Sequence, residues 1–170
     1  MASAVTEEGA VGAVDPDEDA QPRWLTAGEQ EVWRAYLDVS RLLFERLHRQ
    51  LFEDSDVTFP EYEVLVQLSE TPDWSLRMSE LADRAVSSRS RLTHTVGRLE
   101  DRGMVRRERS TDDRRGILCT LTPQGFELLR ATAPGHVEMV RRIMFDPLDP
   151  SDVTALGAAM TKIRAVLREG

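Results

Sequence analysis

With 170 residues, 41% of them hydrophobic and 31% charged, the chain is long enough for one ordinary domain, or a small domain with an accessory dimerising layer, and too short for two independent cores. No apolar run approaches the roughly 18 residues that suggest a membrane span, and the acidic start lacks the basic and apolar segments of a secretory signal, which places the chain in the cytoplasm. The formal net charge of -8 speaks against a nucleic-acid partner, since DNA affinity rests largely on Lys and Arg neutralising phosphates, until the charge is followed along the sequence.

Residues 1–22 hold Glu7, Glu8, Asp15, Asp17, Glu18 and Asp19 with no Lys or Arg; without periodicity or bulk, they read as a flexible acidic tail. The remainder carries 24 acids against 22 Lys and Arg, a balance of only -2. Residues 23–59 predict an N-terminal dimerisation helix and linker. Trp33, Leu37, Phe44, Leu47 and Leu51 follow 4/3 spacing, with Ser40 at the missing step, and Val32, Tyr36, Val39 and Leu43 form an adjacent stripe. So wide an apolar face calls for cover on more than one side.

Residues 60–122 carry the pattern of a winged helix-turn-helix. A helix over 60–70 opens on Pro60, which suits a first helical turn, and turns Tyr62, Leu65 and Val66 inward; Thr71-Pro72-Asp73 then breaks it. Ser79 is placed to cap a short helix reaching 85, and Ser87 or Ser88 to cap another reaching Arg102, where Gly103 stops it. The period then changes from helical to alternating, with 104–109 as one strand, 117–121 as its return and a polar tip between them. Residues 86–116 also concentrate nine Arg against five acids. As charge alone, that is equally a solvated face with ion pairs at i,i+3 and i,i+4.

At 100° per residue, Leu92, Val96 and Leu99 share one narrow sector of the second short helix and should pack inward. Ser90, His94, Gly97 and Asp101 fall opposite, with Arg91 and Arg98 on one shoulder and Thr93 on the other. Small hydrogen-bonding groups, Arg and a Gly suit the major groove of double-stranded DNA, where Arg reads guanine and Ser or Thr serves phosphate or base. Asp101 does not suit it, so contact is expected mainly from the N-terminal half: Ser88, Arg89, Ser90, Arg91, Thr93 and His94, with Arg98 beyond them. At the wing tip, Arg suits the negative potential of a narrow minor groove. Asp113 is read as the partner that holds Arg115 extended, leaving Arg114 for phosphate.

Residues 123–170 predict C-terminal dimerisation helices. Thr122-Pro123 supplies an N-cap followed by a first-turn Pro, and the helix carries Phe126, Leu129, Val137, Val140 and Met144 until Pro134-Gly135 kinks or divides it. Asp149-Pro150 repeats the start signal for a last helix. There Val153, Leu156, Met160, Ile163 and Leu167 form a 3/4/3/4 seam like half of a coiled coil, beside Gly157, Ala158 and Ala159. Apolar stripes at both ends of the chain favour a homodimer over an ordinary intramolecular bundle. The fold class is therefore mostly α with a small β wing.

Five segments, in order, carry a resemblance: Met78-Ser79-Glu80-Leu81-Ala82; Ser88-Arg89-Ser90-Arg91-Leu92-Thr93; Arg98-Leu99-Glu100-Asp101-Arg102-Gly103-Met104-Val105-Arg106-Arg107; Thr111-Asp112-Asp113-Arg114-Arg115; and Leu121-Thr122-Pro123-Gln124-Gly125. Over about residues 25–168 the chain resembles the MarR family of transcriptional regulators. The resemblance implies a triangular dimer with both chain ends in the dimerisation layer, binding to a pseudo-palindromic operator, usually repression, and often release by a small ligand. Asp113 and Arg115 fall on the family's Asp-x-Arg signature, and His94 falls where members often carry Arg. Family members bind phenolic or other aromatic anions between the DNA-binding and helical layers, which points to Trp24, Trp33, Tyr36, Phe44 and Tyr62; aromatics at helical spacing serve equally as core. The urate-responsive branch implies Trp24, Glu63 and Arg106 as loose counterparts, with Glu63 where an Asp is expected.

Rival functions find less support. His48, His94 and His136 lie on separate predicted helices, and no HExxH, GxSxG, phosphate loop or paired-Cys pattern is present, so neither catalysis, a cofactor nor a metal is expected. Cys119, the single cysteine, reads as a small buried apolar residue rather than a redox sensor, since the family's peroxide sensors carry theirs near the start of the fold. A winged helix used for protein contact is the second reading. Steep salt dependence of binding to random duplex separates it from DNA recognition.

Overall fold

The computed structural model describes residues 22–110 and 116–169. They fall into two units that divide between Leu37 and Asp38. The first holds the beginning of helix α1 (Ala27–Ser55). Its start is a reciprocal cap: the Glu29 carboxylate accepts from Thr26 N at 2.8 Å and Thr26 Oγ1 at 2.9 Å, while Glu29 N donates to Thr26 Oγ1 at 3.3 Å. Trp33 stacks on Tyr36, 5.8 Å between ring centroids, and both are exposed.

The second unit holds the rest of α1, then α2 (Phe59–Ser69), β1 (Ser75–Arg77), α3 (Met78–Arg84), α4 (Arg89–Asp101), β2 (Val105–Arg109), β3 (Ile117–Leu121), α5 (Pro123–Val140), a five-residue π-helical turn (Arg141–Phe145) and α6 (Pro150–Glu169). The sheet order is β1-β3-β2, both pairings antiparallel. Leu51, Leu65, Leu68, Leu81, Leu99, Val96, Val105 and Cys119 are fully buried in one core between the helices and this sheet.

Start and stop chemistry sets the element ends. Thr58 and Glu61 form a capping box for α2. Ser88 Oγ accepts from Arg91 N at 3.3 Å to start α4. Gly103, at φ +73, ends it: Met104 N donates to Leu99 O and Gly103 N to Glu100 O, both at 2.9 Å, the paired closure of a Schellman turn. Thr122 Oγ1 accepts from Gly125 N at 3.1 Å and donates to Gly103 O at 2.8 Å, joining the start of α5 to the end of α4. A Cβ on Gly125 would lie 2.2 Å from Met104 O, so this joint admits no side chain there.

Two expectations are corrected and one strand is added. Strand β1 was not foreseen; three residues are too few to show a period, and it forms because β3 offers a second edge, with Leu76 opposite Cys119. Ser79 does not cap α3, whose N-cap is Arg77, a residue whose side chain accepts no capping bond from the helix, because the chain passes directly from β1 into the helix. Helix α5 is not divided at Pro134, and the proline is exposed, on a side of the helix where water can reach a carbonyl left without its amide partner. The irregularity falls at 141–145, where Asp146 N reaches back to Arg141 O at 2.8 Å. Asp149 Oδ1 then accepts from Ser151 N at 2.8 Å and Asp152 N at 3.0 Å, starting α6, in which no side chain is buried.

Val86, in the turn between α3 and α4, sits at φ +47 and is 85% exposed. A β-branched side chain in the left-handed region costs about 1–2 kcal/mol, more than the added chain entropy of a glycine, roughly 0.5–1 kcal/mol. Val86→Gly is therefore expected to stabilise the fold by about 0.5–1 kcal/mol, read as a higher urea midpoint with an unchanged slope; a lower midpoint would show that the side chain holds the turn.

Candidate nucleic-acid interface

Helix α4 is held by one face and offers the other. Leu92, Val96 and Leu99 are buried, as is Thr95, whose Oγ1 donates to Arg91 O at 3.1 Å. Arg89, Ser90, Arg91, Thr93 and His94 are exposed and border one open depression. Ser88 stands at the head of this group as the cap, and Thr93 Oγ1 donates to Arg89 O at 2.8 Å, leaving the hydroxyl oxygen as an acceptor. Gly97 has nothing within 4 Å of where a Cβ would stand. The structure thus assembles six of the ten residues that sequence reasoning selects for DNA contact. Asp113, Arg114 and Arg115 lie outside the described residues.

The tenth, Arg98, has a partner that the sequence did not reveal. Its Nε donates to Glu61 Oε1 at 3.0 Å; the Arg98 side chain is 51% exposed and that of Glu61 only 4%. Burial pushes the Glu61 carboxyl up, but hydrogen bonds from the Thr58 amide and hydroxyl and from Arg98 outweigh it and hold the group below its ordinary value. Two further cations of the basic stretch are similarly engaged. Arg107 donates through N, Nε and Nη2 to the Glu100 carboxylate at 2.7, 2.8 and 2.5 Å, and its guanidinium holds that carboxyl low against a smaller push from burial. Arg102 Nη1 donates to Asp56 O at 2.7 Å. These pairs fasten α4 to α2, to β2 and to the α1–α2 turn.

The residues suggested for an effector belong to both units. Trp24, Trp33 and Tyr36 are exposed residues of the first unit. Glu63 is half-buried, its carboxyl pushed up by desolvation, in a cleft with Pro60, Val86, Arg91 and Thr95 that Arg106 does not line. Arg106 is exposed on β2, 3.4 Å from Glu108. Tyr62 is buried core against the His136 ring at 4.5 Å, and Phe44 meets Phe59 edge-on at 5.3 Å. His136 Nδ1 lies 3.2 Å from Gln50 Oε1, and burial keeps this ring below its ordinary pKa. Among the described residues no group of His, Cys, Asp and Glu is placed to hold a metal ion, and no helix is long and apolar enough to cross a membrane.

Comparison with known proteins converges on one family. A model of the MarR family matches residues 55–116. The chain is 48% identical to Sco3205, a MarR family transcriptional regulator of Streptomyces coelicolor whose crystal structure is in complex with DNA, over 86% of this chain and 91% of that one, with a TM-score of 0.83. It is 44% identical to AbsC, another MarR family regulator of Streptomyces coelicolor, over 88% and 100% of the two chains, TM-score 0.84. With the transcriptional regulator HosA of Escherichia coli O157:H7 it shares 31% identity over 101 residues, 59% of this chain and 73% of HosA.

Cys119, the single cysteine, stands opposite Arg107 in the β2–β3 register. It is fully buried, and burial, with the Glu100 charge adding to it, pushes its pKa up to about 12. The thiolate is the reactive form, so at pH 8 the folded protein should react with a disulfide reagent on the order of a hundredfold more slowly than the same protein in urea. Equal rates would show that the thiol is accessible.

Proposed function

The chain belongs to the MarR family of transcriptional regulators and is not an enzyme; we propose that it acts as a homodimeric repressor on a pseudo-palindromic operator. The observation that carries this reading is the outward face of α4, where Arg89, Ser90, Arg91, Thr93 and His94 are exposed opposite a buried apolar seam. Each α4 enters the major groove of one half-site, with half-sites about 34–36 Å apart or a multiple of that. Arg91 reads a guanine edge, Ser90 and Thr93 serve phosphate or base, and Ser88 and Arg89 meet the backbone. Asp113, Arg114 and Arg115 join the reading on their sequence alone, as a wing-tip contact to the minor groove.

Dimerisation is supported by apolar surface that lacks cover: Val153, Met160, Ile163, Val166 and Leu167 on α6, and Val32, Trp33, Val39 and Leu42 on α1, are exposed. A second copy supplies that cover, dividing the protomer into a tail over 1–22, dimerisation segments over 23–59 and 123–170, and a DNA-binding domain over 60–122. Release by a small aromatic or anionic ligand follows from the family resemblance, with Trp24, Trp33, Tyr36, Glu63 and Arg106 as its residues.

Two measurements test this reading. Titration of operator and scrambled duplex across a salt series should show affinity falling steeply with salt. Arg91→Ala should cost about 1–3 kcal/mol on the operator and relax preference at particular base pairs; an equal loss on both duplexes would make Arg91 a phosphate clamp. Deleting residues 150–170 should convert the dimer to monomer in sedimentation, whereas a folded, dimeric truncated protein would remove α6 from the interface.

A further inference from the structure

Among the described residues Glu61 is the one buried charged side chain, and its two oxygens have different tasks. Oε2 accepts from Thr58 N at 2.8 Å and Thr58 Oγ1 at 2.7 Å, completing the cap of α2, while Oε1 takes Arg98 Nε. We infer that Glu61 is a positioning residue for DNA recognition: acting through Arg98, it fixes the guanidinium so that its terminal nitrogens meet the duplex in one orientation. The inference rests on the DNA reading above.

Three observations carry it. A capping box is served equally by Gln, so the cap alone does not require a carboxylate here; the cation on α4 does. Arg98 is tethered at Nε yet half exposed, which leaves the far end of a five-donor group available beside the outward face of α4. A charge-assisted bond between a buried acceptor and a long side chain also removes rotamer freedom before DNA arrives, so less ordering remains to be done on binding. An acid close to the DNA-reading helix would otherwise only repel phosphate. Simple electrostatics therefore predicts tighter binding when Glu61 is neutralised, and the positioning role predicts the opposite.

The test uses the full chain, a duplex selected by the parent protein from a random-sequence pool, and a scrambled version of it, titrated across a salt series. Glu61→Gln should keep the cap and a thermal midpoint near that of the parent. It should bind the selected duplex about tenfold more weakly while holding the scrambled one as well as or better than the parent. In an Arg98→Ala background the same change should add nothing, because the residue through which Glu61 acts is gone. Arg98→Lys, which keeps the charge but lacks Nε, should show the same tenfold loss and remains informative if Glu61→Gln does not fold. Parent-like or tighter binding of the selected duplex by either variant, or a Glu61→Gln loss that persists without Arg98, overturns the inference while leaving the DNA reading intact. A parent that selects no sequence defeats the DNA reading itself, and the inference falls with it.

Discussion

A 13-residue helix does not persist alone in water, and α4 must nevertheless hold a fixed outward face. Burial of Leu92, Val96 and Leu99 supplies the largest holding term, about 1.5–3 kcal/mol for each side chain. That seam fixes the roll of the helix but constrains its slide and tilt less, because apolar contact is non-directional. Direction comes from the three carboxyl and carbonyl partners at its flanks: Glu61 on Arg98, Glu100 on Arg107, and the Asp56 carbonyl on Arg102. The first differs from the others in kind. An exposed ion pair is worth about 0–1 kcal/mol, whereas removing one partner from a buried charge leaves it uncompensated at a cost of about 3–5 kcal/mol. Glu61, almost wholly enclosed, is nearer the second case, so Arg98 is tied to the fold more firmly than its exposure suggests.

The same partners change what the charge distribution means. Nine Arg in 86–116 look like a phosphate-binding stripe. Arg98, Arg102 and Arg107 are each engaged with the domain itself, and Arg106 faces Glu108 on the surface. On the DNA reading, affinity for phosphate falls to fewer cations than the count implies, with Arg89 and Arg91 foremost among the described residues. Two acids of this stretch are correspondingly less repulsive than their charge suggests, since Glu100 and Glu108 are each matched by a guanidinium. A net charge of -8 is compatible with a DNA-binding face because local pairing, more than the total, decides which charges DNA meets.

Much of this was legible in the sequence. The caps at Ser88 and Thr122, the stop at Gly103 and the start at Asp149-Pro150 are local chemistry, readable within four residues, and all are present. The inward seam of α4 and its outward polar face followed from helical geometry alone. Strand β1 was not legible because its reason for forming lies on β3, more than 40 residues away. The same applies to Arg98: nothing within a helical turn of it suggests a partner 37 residues upstream. Arg107 and Glu100 lie across the Gly103 turn, and only the path of the chain through that turn brings them together.

The first turn of α4 ties these points to function. Helices α2, α3 and α6 each carry an acid there, Glu61, Glu80 and Asp152, which complements the positive end of the helix dipole by about 0.3–1 kcal/mol. Helix α4 carries none and opens instead on Arg89-Ser90-Arg91, two cations placed where the dipole disfavours them. Ser88 occupies one of the orphan amides, and the others are left to solvent or to an incoming partner. In the DNA-bound reading a phosphate takes the place that an acid holds in α2, α3 and α6, meeting the amides, the dipole and both guanidinium groups together. The arrangement is least favourable in the free protein and improves when an anion arrives. On that reading part of the binding free energy comes from relief of repulsion that the sequence of α4 builds in, and that contribution is insensitive to which bases the helix reads.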